Sequence, residues 1–174
     1  TVATVVQMTA LLAATSVDTL RVLALPLACA GAVAVAYGAV FMMRTASEPV
    51  ADSGTLGRAF SFRTALLFAI TVTGVMFVSA AIVDWLGAAG LVPTAGAAGF
   101  ADTHAIAVSI ASLAAAQKIS VSEATIPILV ALSTNTITKI ALAVINGGSR
   151  YATQVVPGLV LTIMAAWLGW LLAP

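Results

Sequence analysis

The sequence predicts an all-α fold: a polytopic transmembrane helical bundle of about five spans, one of them broken or re-entrant. Two observations carry this. Hydrophobic residues make up 61% of the 174 residues and charged ones only 7%, against roughly 25% charged in soluble domains. Mean hydropathy is +1.13, and the apolar residues recur in runs near the roughly 20 residues that cross a bilayer.

The elements follow in order. Thr1 to Val17 is apolar but short, the end of a preceding span or an interfacial helix. No charged segment precedes it, which argues against a signal peptide, and the start reads as a truncation or processing of a longer chain. Asp18 and Arg21 mark a membrane surface, with Asp18 placed to cap the next helix. Val22 to Met43 is a first span. Pro26 sits harmlessly in its first turns, and Ala28, Ala30, Gly31, Ala34 and Gly38 favour close helix approach. Arg44 to Ser61 is a hydrophilic linker. It divides an N-terminal segment, 1–57, from a membrane domain, 58–174.

Ala65 to Leu86 is a second span ending at Asp84 and Trp85, where an interfacial aromatic belongs. Gly87 to Ala116 is irregular, rich in glycine and holding Pro93 before a cleaner run from Thr103. Two readings stay open there: a broken or re-entrant helix followed by a half-helix, or one long kinked span. Val121 to Ile145 is a fourth span and Val155 to Leu172 a fifth, with Trp167 and Trp170 near its end. The stretch 146–154 between them reads as a polar loop, with Gly147 and Gly148 as its turn signal. If the third segment crosses, Arg44, Arg58, Arg63 and Lys118 share one side and Arg21 and Arg150 the other. The positive-inside rule then places the linker and the C-terminus in the cytoplasm.

Several classes are excluded or lack support. A net charge of +1 offers no basic stripe for nucleic acid. Cys29 is the one cysteine, a packing residue without an internal disulfide partner. With a single His there is no zinc cluster. No HExxH, GxSxG or Walker pattern occurs, so no enzyme, metal centre or cofactor is expected.

The chemistry-bearing residues lie within the apolar runs. Lys139 and Asn135 are one helical turn apart near the middle of the fourth span. A lysine at that depth costs about 3 kcal/mol on insertion scales and normally faces a bundle interior or watery cavity. Asn135, Lys139, Leu142 and Asn146 form one helical stripe, with Ser133, Thr134, Thr136 and Thr138 around it. Asp102, Ser109 and Ser112 form another through Ala105. Both stripes should turn inward, which makes Asp102 and Lys139 natural partners, within direct or one-water reach. Asp102 also reads as the N-cap of a half-helix, the kind of terminus transporters aim at substrates or ions. His104 falls roughly opposite Asp102 on a regular helix and serves as a proton carrier, a weak metal ligand or a packing residue. The competing structural reading of the whole set is a buried ion pair that only fixes helix register.

The stretches GFADTHAIAVSIASLAA at 99–115, STNTITKIALAVINGG at 133–148 and FSFRTALLFA at 60–69 carry a resemblance. They resemble the uncharacterised integral-membrane domain that follows the MgtC/SapB domain in many bacterial proteins. Gly99, Phe100, Ala101, Asp102, Ala105, Asn135, Thr136 and Lys139 match its pattern. His104 stands where relatives often carry an acidic or other polar residue. The resemblance covers roughly 58–173 and is only generic before that. It implies a multi-span bacterial inner-membrane protein with ion transport as its work.

Together these features predict a channel or carrier in the lipid bilayer for a small ion or solute, proton coupling included. Asp102, Ser109, Asn135, Lys139 and His104 line its path. Hard cations want several oxygen ligands, and a lysine repels them, which favours an anion or a proton-coupled cargo. So few helices point to a homo-oligomer. The alternative is a non-transporting regulatory or structural membrane subunit.

Overall fold

The computed structural model describes residues 1–45 and 90–173, together with Leu66 and Ile70. Among them are five helices and no strand. We number these α1 (Val2–Thr15), α2 (Val17–Thr45), α3 (Leu91–Gly99), α4 (Thr103–Ala115) and α5 (Val121–Leu171). The span expected over Ala65–Leu86 and most of the linker lie outside the described residues.

Three stretches are long and apolar enough to cross a membrane: Val17–Met43, Val121–Ile145 and Tyr151–Leu171. They correspond to the first, fourth and fifth expected spans, two of them starting earlier than the sequence placed them. At 14, 9 and 13 residues, α1, α3 and α4 each fall short of the roughly 20 residues a crossing needs.

A single residue separates α1 from α2. Ser16 is extended, at φ −154° and ψ 101°. Its hydroxyl accepts from the Thr19 backbone N–H at 3.3 Å and from the Thr19 hydroxyl at 2.9 Å. Ser16 therefore caps α2, not Asp18. Asp18 lies inside the first turn and pairs with Arg21 at 3.0 Å, both side chains largely exposed. The chain doubles back at Ser16, which brings Val5 against Gly31.

The expected loop at 146–154 is replaced by helical backbone, which runs unbroken through α5. Yet Trp167 Nε1 donates to Ser133 Oγ at 3.0 Å across 34 positions, which a straight helix would hold about 50 Å apart. The element is therefore a hairpin of two arms, 121–145 and 151–171, with a tight helical corner between them. Gly147 belongs to that corner because a Cβ there would overlap the Tyr151 ring. Gly147 marks close packing at a helical corner and not a loop.

α2 runs antiparallel to the second arm. Gly158 meets the Tyr37 ring, and Gly169 sits where a Cβ would lie 2.8 Å from Pro26 Cα. Tyr37 Oη donates to the Gln154 carbonyl at 2.7 Å. Small residues let these backbones approach, which is how apolar helices associate without a hydrophobic drive between them. Met8, Leu12, Leu23, Ile128 and Leu129 are fully buried at the centre. Val144, Ile145, Met164 and Leu168 are exposed on the outside, as a lipid-facing surface would be.

The arm directions correct the charge count made from sequence. Two antiparallel steps make α2 parallel to the first arm of α5. Arg21 and Lys118 therefore lie toward one end of the bundle, and the end of α2 at Thr45 lies toward the other. Lys118 does not fall with Arg44. Arg58 and Arg63 are outside the described residues.

Candidate functional site

The site is built where α3 ends. Along the first arm of α5, Gly96 faces Val130, Gly99 faces Ala131 and Thr134, and the Phe100 carbonyl accepts from Thr138 Oγ1 at 3.0 Å. The register advances in step, so α3 runs parallel to this arm. α4 returns toward the start of the same arm through a short connection. Its C-terminus closes with Lys118 N–H donating to the Leu113 carbonyl and Gln117 N–H to that of Ala114, with Gln117 at φ 56°, the Schellman pattern. Ser120 and Glu123 then form a capping box that opens α5.

α3 and α4 are thus a helical pair whose tip, Phe100 to Asp102, lies between the levels of Ala131 and Thr138. That is well inside the stretch Val121–Ile145. Of the two readings open for 87–116, the broken helix is the one present. Gly99 is required because a Cβ would come within 2.6 Å of the Ala131 backbone. Asp102, extended at φ −152°, caps α4 by accepting from the backbone N–H of His104 at 2.8 Å and of Ala105 at 3.3 Å.

The expected direct Asp102–Lys139 pair is absent. Lys139 Nζ instead donates to Thr4 Oγ1 at 2.9 Å, linking α5 to α1. The reason lies in helix phase. Thr138 is the residue that meets the tip, and the next position points about 100° around the helix. Asp102 is also occupied by its own helix terminus, and its side chain is 47% exposed, so no buried ion pair fixes the register. His104 corrects a second expectation. Asp102 lies outside the helix as its cap, so its carboxylate folds over the first turn and meets His104 Nδ1 at 3.1 Å instead of lying opposite it.

The remaining expected residues separate. Asn135 Oδ1 is buried without a hydrogen-bond partner among the described residues, as are His104 Nε2, Thr103 Oγ1 and Thr94 Oγ1. Ser109 and Ser112 are exposed, so that part of the stripe does not turn inward. Ser133, Thr134 and Thr136 bond back to carbonyls of their own helix, the usual resting place of such hydroxyls. Thr4, Thr103 and Thr138 matter to the site and were missed or undervalued. An isolated threonine carries no spacing signal, and only tertiary contact shows what its hydroxyl meets. Among the described residues no cluster of His, Cys, Asp or Glu could hold a metal ion.

Residues 1–147 match the sequence model of a family described as a domain of unknown function, DUF4010. The chain belongs to that family. The matched stretch holds the tip, Thr4, Asn135 and Lys139, and it reaches back over the first 57 residues, where the sequence resemblance was generic. No curated protein and no solved structure matches the chain.

Proposed function

We propose that this DUF4010 chain is a bacterial inner-membrane channel or carrier for a small ion or solute, working as a homo-oligomer. One observation carries the reading: a helix break ends inside a candidate span, beside the most polar turns of that span. Lipid offers no hydrogen bonds, so irregular backbone at membrane depth must face protein or a water-filled cavity. Asp102 is half-exposed there, and Asn135 and His104 each hold a buried polar atom without a partner. Unmade hydrogen bonds of that kind cost about 1–3 kcal/mol each, a cost that water or a passing solute offsets. Asp102, His104, Asn135 and Lys139 line the path in this reading. Ser109 faces away from it in a single chain and enters only across a subunit boundary. The MgtC/SapB association belongs to the same proposal and rests on the resemblance alone.

Asp102 also supports the second reading, a non-transporting subunit, since its carboxylate already has two backbone donors and His104. Purified protein in sealed liposomes separates the two. Solute or proton flux that Lys139→Met abolishes supports a path. No flux of any monovalent ion, proton or small carboxylate, from protein shown to be folded, ends the transport reading.

A further inference from the structure

The surroundings of Lys139 point to a ligand. Its ammonium group has three donors, of which the described contacts use one, to Thr4. No carboxylate among the described residues is within ion-pairing distance of it. It opens instead on a cavity of about 500 Å³ between the two arms of α5, whose lining includes Thr1, Lys139, Leu142, Tyr151, Val155 and Leu159. The size is that of a small-ligand site. The lining is polarised: the Lys139 ammonium at one place, and aliphatic side chains with the Tyr151 ring along most of the rest.

From this geometry we infer that the cavity binds a monocarboxylate with a short apolar body. The carboxylate meets Lys139, whose ammonium Thr4 holds in place, and the body lies along Leu142, Val155 and Leu159. Charge selects the class. One cation at membrane depth is balanced by one negative charge. A dianion would leave a charge uncompensated, because Lys139 is the one charged side chain in the lining, and desolvation is too expensive for that. The walls select the body. Aliphatic side chains cannot replace the hydration shell of a small inorganic anion, but they stabilise methylene groups in proportion to the apolar area removed from water. The inference deepens the transport reading by naming the cargo class. It does not require transport, since a regulatory subunit would bind the same ligand.

The test is equilibrium binding of radiolabelled butyrate to the full chain in lipid nanodiscs, with flux measured separately in liposomes. Saturable binding is expected at one site per chain, displaced more strongly by hexanoate than by acetate, and not by butyramide or sulfate. Lys139→Gln keeps a donor for Thr4 and removes the charge, and it should weaken binding about 10-fold or more, the worth of a hydrogen bond to a charged group. Lys139→Arg should stay within about threefold, since it keeps the charge. Unchanged binding in Lys139→Gln, equal displacement by butyramide, or no saturable site in folded protein overturns the inference. Nitrate displacing as well as hexanoate overturns the apolar body. Binding by protein that carries no monovalent ion, proton or small carboxylate upholds the inference and ends the transport reading. Flux of another solute with no butyrate site does the reverse.

Discussion

Asp102 and Lys139 are opposite charges in the same apolar bundle, and the fold treats them differently. Asp102 sits at a helix break and receives backbone N–H groups from His104 and Ala105. Those donors exist because a helix start leaves them free, so its partner is supplied locally. Lys139 lies mid-helix, where the backbone has nothing to offer a cation. Its partner is one hydroxyl on α1, far away in sequence. A carboxylate satisfied by its own backbone needs no distant partner. A cation held by one hydroxyl above a cavity remains available to a ligand. The difference explains why two residues that look paired in sequence have separate partners.

Substitutions sharpen that contrast, and the largest effect should fall on the break itself. Gly99→Ala places a methyl 2.6 Å from the Ala131 backbone, which cannot yield as a side chain can. Overpacking of this kind costs about 1–3 kcal/mol, read as a lower melting temperature in detergent. Gly38→Ala, where a Cβ meets nothing within 4 Å, is the control and should be no less stable than the parent. Equal stability of the two variants would dissolve the account of the tip.

Asp102→Ala removes the cap and should cost about 1 kcal/mol, within the 0.5–2 typical of such changes. Asp102→Asn keeps the acceptor and should recover most of it. If Asn is as damaging as Ala, the Asp102 charge matters to the fold beyond capping.

Lys139→Met should leave stability within about 1 kcal/mol, since it gives up one hydrogen bond and strands no carboxylate among the described residues. Flux should still be lost. A buried ion pair would behave otherwise, with a loss of about 3–5 kcal/mol.

The smallest effect is the most discriminating. Lys139→Met combined with Asp102→Asn should be additive to within about 0.5 kcal/mol, as for independent sites. A double-mutant cycle by thermal denaturation measures it, and a coupling well above that value would mean the two charges interact.

By itself the sequence determined that the chain is helical and apolar enough to cross a membrane, and where three candidate spans lie among the described residues. Composition and run length are local properties, and burying backbone hydrogen bonds inside helices is the general solution in lipid. It also marked the break, because Gly99 and Asp102 flank a turn whose chemistry is local. Three matters belonged to tertiary structure. Ser16 displaced Asp18 as a cap because the corner between α1 and α2 is one residue tight. The loop expected at 146–154 became a helical corner because Gly147 and Tyr151 pack against each other. Lys139 found Thr4 and not Asp102 because helix phase turned Thr138 toward the tip. Each depends on how elements meet, on angles near 100° per residue and contacts between distant segments, and no spacing along a single strand of sequence encodes those directly.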